Sequence, residues 1–228
     1  MTDANIVTGL DISNSIGPEQ IKLELAGMAQ AICDQRVLQA IAGGKHGRIG
    51  FAVFAWHYGQ FPTVVSWMVI GSAQEAQVAA RALEARELID VELEGRAQTE
   101  WYIGRLTDLS EAIDFADRAL SMAPTVSDRA VINIVGNGED NVGEDAGIAR
   151  DRAVLHGRTV NGIVLGRLPD MTEYYRGQVM GGPHAFVMSI DADATMTDAF
   201  VRKFIGDIIA GNAGPDTRAN PLDHQPMP

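Results

Sequence analysis

Cysteine is nearly absent: Cys33 is the single one in 228 residues. That excludes an intrachain disulfide framework and a thiolate metal cluster. Its place on the apolar pattern of the first helix fits a small core residue. No run of about 18 apolar residues occurs, so no stretch reads as a membrane-spanning helix. Positive charge is scarce as well, with 18 Lys and Arg against 30 Asp and Glu, a net charge of -12. A phosphate backbone or an anionic membrane surface requires a basic patch, so nucleic acid and acidic lipid are poor partners. Cations and basic surfaces suit such a chain better, although most of this charge serves solubility. No signal-peptide pattern precedes the first strand-like run, which leaves a cytoplasmic protein or an exported one whose leader has been removed.

What is present is ordinary globular material. Apolar residues make up 46% and charged residues 21%, enough to bury a core. The length fits one α/β domain over residues 1–210, with a tail over 211–228 that has no apolar period and is expected to be disordered. Strand-like and helix-like periods alternate. Ile6 to Leu10 is a strand; residues 18–42 read as one amphipathic helix with Pro18 at its start and Ile21, Leu25, Met28 and Ile32 on one face. Residues 48–56 and 62–70 read as an antiparallel hairpin, with Trp56-His57-Tyr58 at its tip either a recognition knob or incidental. A helix follows from Ala73 to Leu83, and residues 84–103 show no clean period. Further helices are read at 109–120, 144–156, 170–178 and 200–209, and strands at 130–135, 159–165 and 185–190. The pattern implies a mostly parallel sheet with one antiparallel edge strand and helices on both faces.

In such folds ligands bind beyond the carboxyl ends of the strands, at a switch in strand order. Three polar loops fall at those ends. Asp11-x-Ser13-x-Ser15 closes the first strand, Leu106-Thr107-Asp108 precedes a helix, and Gly136-Asn137-Gly138-Glu139-Asp140-Asn141 follows the strand at 130–135. Converging, they offer one carboxylate, three hydroxyls and an amide oxygen, the all-oxygen shell that hard divalent cations such as Mg²⁺ favour.

Asp-x-Ser-x-Ser after a first apolar strand, with a later threonine opening a helix, resembles the metal-ion-dependent adhesion site (MIDAS) of von Willebrand factor A domains. "VINIVGNGEDN", "HGRIGFAVFAW", "EYYRGQVMGGPHAFV" and "FVRKFIGDII" are similar to a bacterial branch of uncharacterised A-like domains, so the likeness covers about residues 5–210. The resemblance implies a Rossmann-like fold with a metal at the upper edge of the sheet. It implies direct ligation by Ser13 and Ser15, ligation by Asp11 directly or through water, and a part for Thr107. The third-loop aspartate of the family falls on Asn137, and Asn133 also replaces an aspartate of that branch. Asn137 removes a negative charge, so the bound Mg²⁺, Mn²⁺ or Ca²⁺ is expected to be weakly held unless Glu139 or Asp140 turns inward. The related branch often carries export signals, which leans the location toward the envelope or outside the cell.

Each feature also has a purely structural reading. Asp11 and Ser15 are residues that satisfy backbone donors in a turn; Thr107 is placed to be an N-cap; "GNG" suits positive φ values. His46, His57, His156 and His184 have no metal spacing and read as isolated residues. Tyr174-Tyr175-Arg176 either lines a crevice or packs a short helix.

Three functions follow. The first is a binding module in which the cation bridges to an Asp or Glu of a partner protein, with no turnover. The second keeps the fold as a scaffold that has lost the metal. The third, a Mg²⁺-dependent phosphohydrolase, lacks the second aspartate an aspartyl-phosphate mechanism would place two residues after Asp11, and no Gly-rich phosphate loop appears.

Overall fold

The computed structural model describes residues 1–57, 59–85, 106–166, 168–190 and 195–210. The tail at 211–228 and most of the 84–103 stretch lie outside the described residues. In chain order the elements are β1 (Ala4–Asp11), α1 (Pro18–Ile32), α2 (Gln35–Ala42), β2 (Ile49–Trp56), β3 (Thr63–Ile70), α3 (Ala73–Glu84), α4 (Leu109–Ser121), β4 (Ala130–Gly136), α5 (Ala146–Leu155), β5 (Arg158–Leu165), α6 (Pro169–Tyr174) with a π-helical turn (Tyr175–Val179), β6 (Val187–Ile190) and α7 (Met196–Ile209).

Among the described residues, six strands form one sheet in the order β3-β2-β1-β4-β5-β6. All neighbours are parallel except β2 and β3, the expected hairpin, which places β3 as an antiparallel edge. The chain leaves β1 toward β2 and later returns to its other side as β4. The switch in strand order therefore lies between β1 and β4, where a crevice opens beyond their carboxyl ends.

Period-two alternation splits the core in two. Ile6, Leu10, Phe51, Val131 and Ile163 face α1, α3 and α7. Val7, Phe54, Ile132, Val160 and Val164 face α4, α5 and the π-helical turn. Each large side chain fully buried this way contributes about 1.5–3 kcal/mol. Trp56 is fully buried in the second cluster and is no recognition knob, and Tyr58 lies outside the described residues.

Two local readings are corrected. Residues 18–42 are two helices, because Asp34 takes an extended backbone and accepts a hydrogen bond from the Arg36 amide at 2.8 Å, capping α2. Apolar spacing that continues across a break cannot reveal a cap whose evidence is one side chain. Cys33, at the break, is only half-buried against the core. His156 also does not stand alone, since its Nδ1 pairs with Asp117 Oδ2 at 2.6 Å, beside Arg158.

One part of the first cluster is polar. Thr8, Asn133 and Asn161 are in register across β1, β4 and β5. Asn133 and Asn161 each donate to Asp207 at 3.1 Å, and Asp207 is paired with Lys203 one turn earlier on α7. All are buried. Burial pushes the Lys203 pKa down and that of Asp207 up, each opposed by the other's charge. Asn133 thus has a structural place in mid-sheet, far below the strand ends where a cation would sit.

Candidate metal centre

β1 ends on Asp11, fully buried beneath the first loop. Its Oδ1 accepts from the Ser13 amide at 2.7 Å, the local turn that aspartate commonly makes. Ile12 and Ile16 are both buried in the core and anchor the loop from below. Ser13 is itself buried while Ser15 is exposed. Their hydroxyl oxygens are hydrogen-bonded at 2.9 Å, and Ser15 Oγ donates to Asn137 Oδ1 at 2.8 Å. Asn137 Nδ2 returns a bond to the Ser15 carbonyl at 3.3 Å. Asp11, Ser13, Ser15 and Asn137 are therefore linked across the switch point, the first two buried and Ser15 exposed.

Thr107 joins from a third loop. The expected capping role falls to its neighbour: Asp108 Oδ1 accepts from the Glu111 amide at 2.9 Å and caps α4. Thr107 is instead tied to the β4 loop, its amide donating to Asn141 Oδ1 at 2.8 Å and its carbonyl accepting from the Asn141 amide at 3.0 Å. A Cβ built on Gly138 would lie 3.1 Å from the Thr107 hydroxyl. Asn14, Ser15, Thr107, Asn137 and Gly138 line one cleft of ≈ 520 Å³.

Both acidic residues of the β4 loop, Glu139 and Asp140, line the same cleft as Asn137. Glu139 is exposed, and Asp140 Oδ1 accepts from the Leu109 amide at 3.0 Å, at the first turn of α4. Burial, with smaller contributions from Asp108 and Asp145, pushes the Asp140 pKa up to about 7 against that backbone hydrogen bond. Helix amides and the macrodipole hold it there.

Two buried residues lie near Asp11: Glu24, on which the sequence reading is silent, and Tyr175, read there as lining a crevice or packing a short helix. Glu24, on α1, is fully buried, and its pKa is pushed up to about 8, mainly by burial, with the Asp11 charge adding to it and Gln20 pulling the other way. Its place three residues after Ile21 and one before Leu25 put it on the apolar stripe, a legible signal. Tyr175 is also fully buried, and its hydroxyl reaches the strand ends below Gly136. Spacing gives no sign of that approach.

Among the described residues, no group of three or more His, Cys, Asp or Glu side chains is placed to hold a metal ion. The donors gathered here are instead one carboxylate, hydroxyls and an amide oxygen. Such a set fits a hard divalent cation that keeps several waters, with Asp11, Ser13, Ser15, Asn137 and Thr107 as the groups able to hold it. Asp11 is the one carboxylate among these five groups, and Glu139 and Asp140 add negative charge along the cleft.

A family model described as "Protein of unknown function (DUF1194)" matches residues 1–212. No curated protein matches. Several solved structures are similar. The vWF domain of the type V pili tip protein Mfa5 from Porphyromonas gingivalis is 11% identical at a TM-score of 0.54, covering 89% of this chain and 95% of that one. Manganese-loaded TRAP protein of Plasmodium vivax is 15% identical at 0.53, covering 89% and 73%. Proximal thread matrix protein 1 of the mussel byssus, with a zinc-occupied MIDAS motif, is 14% identical at 0.53. That match covers 92% of this chain but only 46% of the byssus protein, so the chain spans under half its length. Identities this low establish the fold, that of a von Willebrand factor A domain.

Proposed function

Because the chain belongs to the family described as protein of unknown function (DUF1194) and has the von Willebrand factor A fold, we propose that it is a metal-ion-dependent protein-binding module. A divalent cation, Mg²⁺ or else Mn²⁺ or Ca²⁺, is weakly held by Asp11, Ser13, Ser15, Thr107 and Asn137, and an exposed Asp or Glu of a partner protein completes its shell.

The observation that carries this reading is the hydrogen-bonded run from Ser13 through Ser15 to Asn137. It joins oxygens of the β1 and β4 loops, and the same β1 loop is bonded to the buried Asp11 carboxylate through the Ser13 amide. Electrostatics give the ion a purpose. At a net charge of -12 the protein repels acidic partners, and a bound divalent ion inverts the sign at this one place. The zinc-occupied motif of the byssus protein and the manganese loading of TRAP lend support from the same fold. The chemistry is recognition, without turnover.

Calorimetric titration with Mg²⁺, Mn²⁺ and Ca²⁺ tests the reading, with Asp11→Ala as control. Uptake of one ion per chain by the wild type, lost in the variant, is the expected result. A second reading is favoured by Asn137: both ends of its amide are bonded to Ser15, so the loops are closed by protein alone. In that reading the domain is a scaffold that works without metal, and the absence of uptake with or without an acidic peptide would select it.

A further inference from the structure

Tyr175 is the first residue of the π-helical turn, closed by the Met180 amide donating to the Tyr175 carbonyl at 2.8 Å. Two strands make room for its side chain by carrying glycine. A Cβ on Gly162 would sit 2.7 Å from ring carbon Cδ1, and one on Gly136 would sit 2.7 Å from the hydroxyl oxygen. The residue is fully buried, and its hydroxyl makes no hydrogen bond among the described residues. A buried hydroxyl without a partner carries an uncompensated desolvation cost, and a phenylalanine would fill the same space without it. π-helical turns of this kind are concentrated at functional sites.

The same built Cβ on Gly136 lies 3.1 Å from Asp11 Oδ2. Hydroxyl and carboxylate oxygen thus both border the one space that a side chain at Gly136 would fill. After burial itself, the Asp11 charge is the strongest influence raising the Tyr175 pKa. A donor aimed at this carboxylate is what a metal site requires behind its ligand, because it fixes which oxygen faces the ion.

We propose that Tyr175 is a positioning residue for Asp11, donating its hydroxyl hydrogen to the carboxylate when the site holds a cation. This rests on the metal-site reading above. It makes the π-helical turn, with β5 beside it, part of a site otherwise built from the β1 and β4 loops and Thr107.

The test compares the full chain with its Tyr175→Phe variant. Mn²⁺ affinity is measured by calorimetry, tyrosine absorbance by difference spectroscopy on Mn²⁺ addition, and Tm without cation. The variant is expected to bind Mn²⁺ roughly tenfold more weakly, to lose a tyrosine difference signal that the wild type shows, and to unfold at the same temperature or higher. Equal, measurable affinities in the two proteins would overturn the role of Tyr175 and leave the metal site standing. A clear fall in Tm would assign the hydroxyl to the fold and overturn it too. Wild-type protein that takes up no Mn²⁺ would overturn both readings together.

Discussion

Ser15 and Asn137 stand 122 residues apart in the chain and are joined twice, hydroxyl to amide oxygen at 2.8 Å and amide nitrogen to carbonyl oxygen at 3.3 Å. This reciprocal pair closes the gap between the β1 and β4 loops. On the proposed metal-site reading, Asn137 is the residue whose charge would set how strongly a cation is held. An amide offers a partial charge where a carboxylate offers a full one.

Asn137→Asp is therefore expected to raise Mn²⁺ affinity at least tenfold, on the order of 1.4 kcal/mol, because Coulomb attraction grows with the added charge. Without cation the same change brings a second carboxylate toward buried Asp11 and should lower Tm. Calorimetry and thermal unfolding with and without Mn²⁺ check the two halves, and the opposite signs are the diagnostic.

Glu24 gives the fold a pH dependence. Its pKa is about 8 in the folded protein against 4.5 for an ordinary glutamate. Between those values the folded chain keeps a proton that the unfolded chain releases, so stability falls as pH rises through this window and levels off above it. The loss reaches on the order of 3 kcal/mol by about pH 7. Glu24→Gln should remove this slope, giving a protein more stable than wild type at about pH 8 and little different below 4.5. Urea unfolding across that range measures it.

Gly136→Ala inserts a methyl group 2.7 Å from the Tyr175 hydroxyl and 3.1 Å from Asp11 Oδ2. Overpacking of this sort costs about 1–3 kcal/mol. Adding Tyr175→Phe deletes the nearer clashing atom, so the double variant should recover part of the lost stability. A double-mutant cycle on denaturation midpoints gives the coupling; strict additivity would contradict the packing described here.

The buried Lys203–Asp207 pair should behave asymmetrically. Asp207→Leu alone strands an ammonium against Asn133 and Asn161 and should cost about 3–5 kcal/mol. Replacing both charges, Lys203→Met with Asp207→Leu, should lie much closer to wild type, because neither charge is then left buried and unpaired. Chemical denaturation of the single and double variants distinguishes the two.

Much of this architecture was legible before any coordinates. Strand alternation and helical spacing are local signals, and they placed β1 through α7 with small errors at the ends. Asp11-x-Ser13-x-Ser15 was readable because three oxygen-bearing side chains at alternate positions, directly after an apolar strand, are unusual in a core. The break at Asp34 and the cap at Asp108 instead of Thr107 were hidden, because a cap depends on which side chain turns back onto an amide. Glu24 is legible on its stripe as a carboxylate among apolar residues.

By itself, the sequence determined the order of strands and helices, the sign of the surface charge and the oxygen chemistry of the three loops, since each depends on residues close together in the chain. Only the tertiary structure decided that Ser15 meets Asn137, that Asp140 bonds the first turn of α4 while lining the cleft, and that Tyr175 arrives at Gly136. Those outcomes depend on sheet register and on which side chains lack room. Both arise when segments more than 30 residues apart are packed against one another.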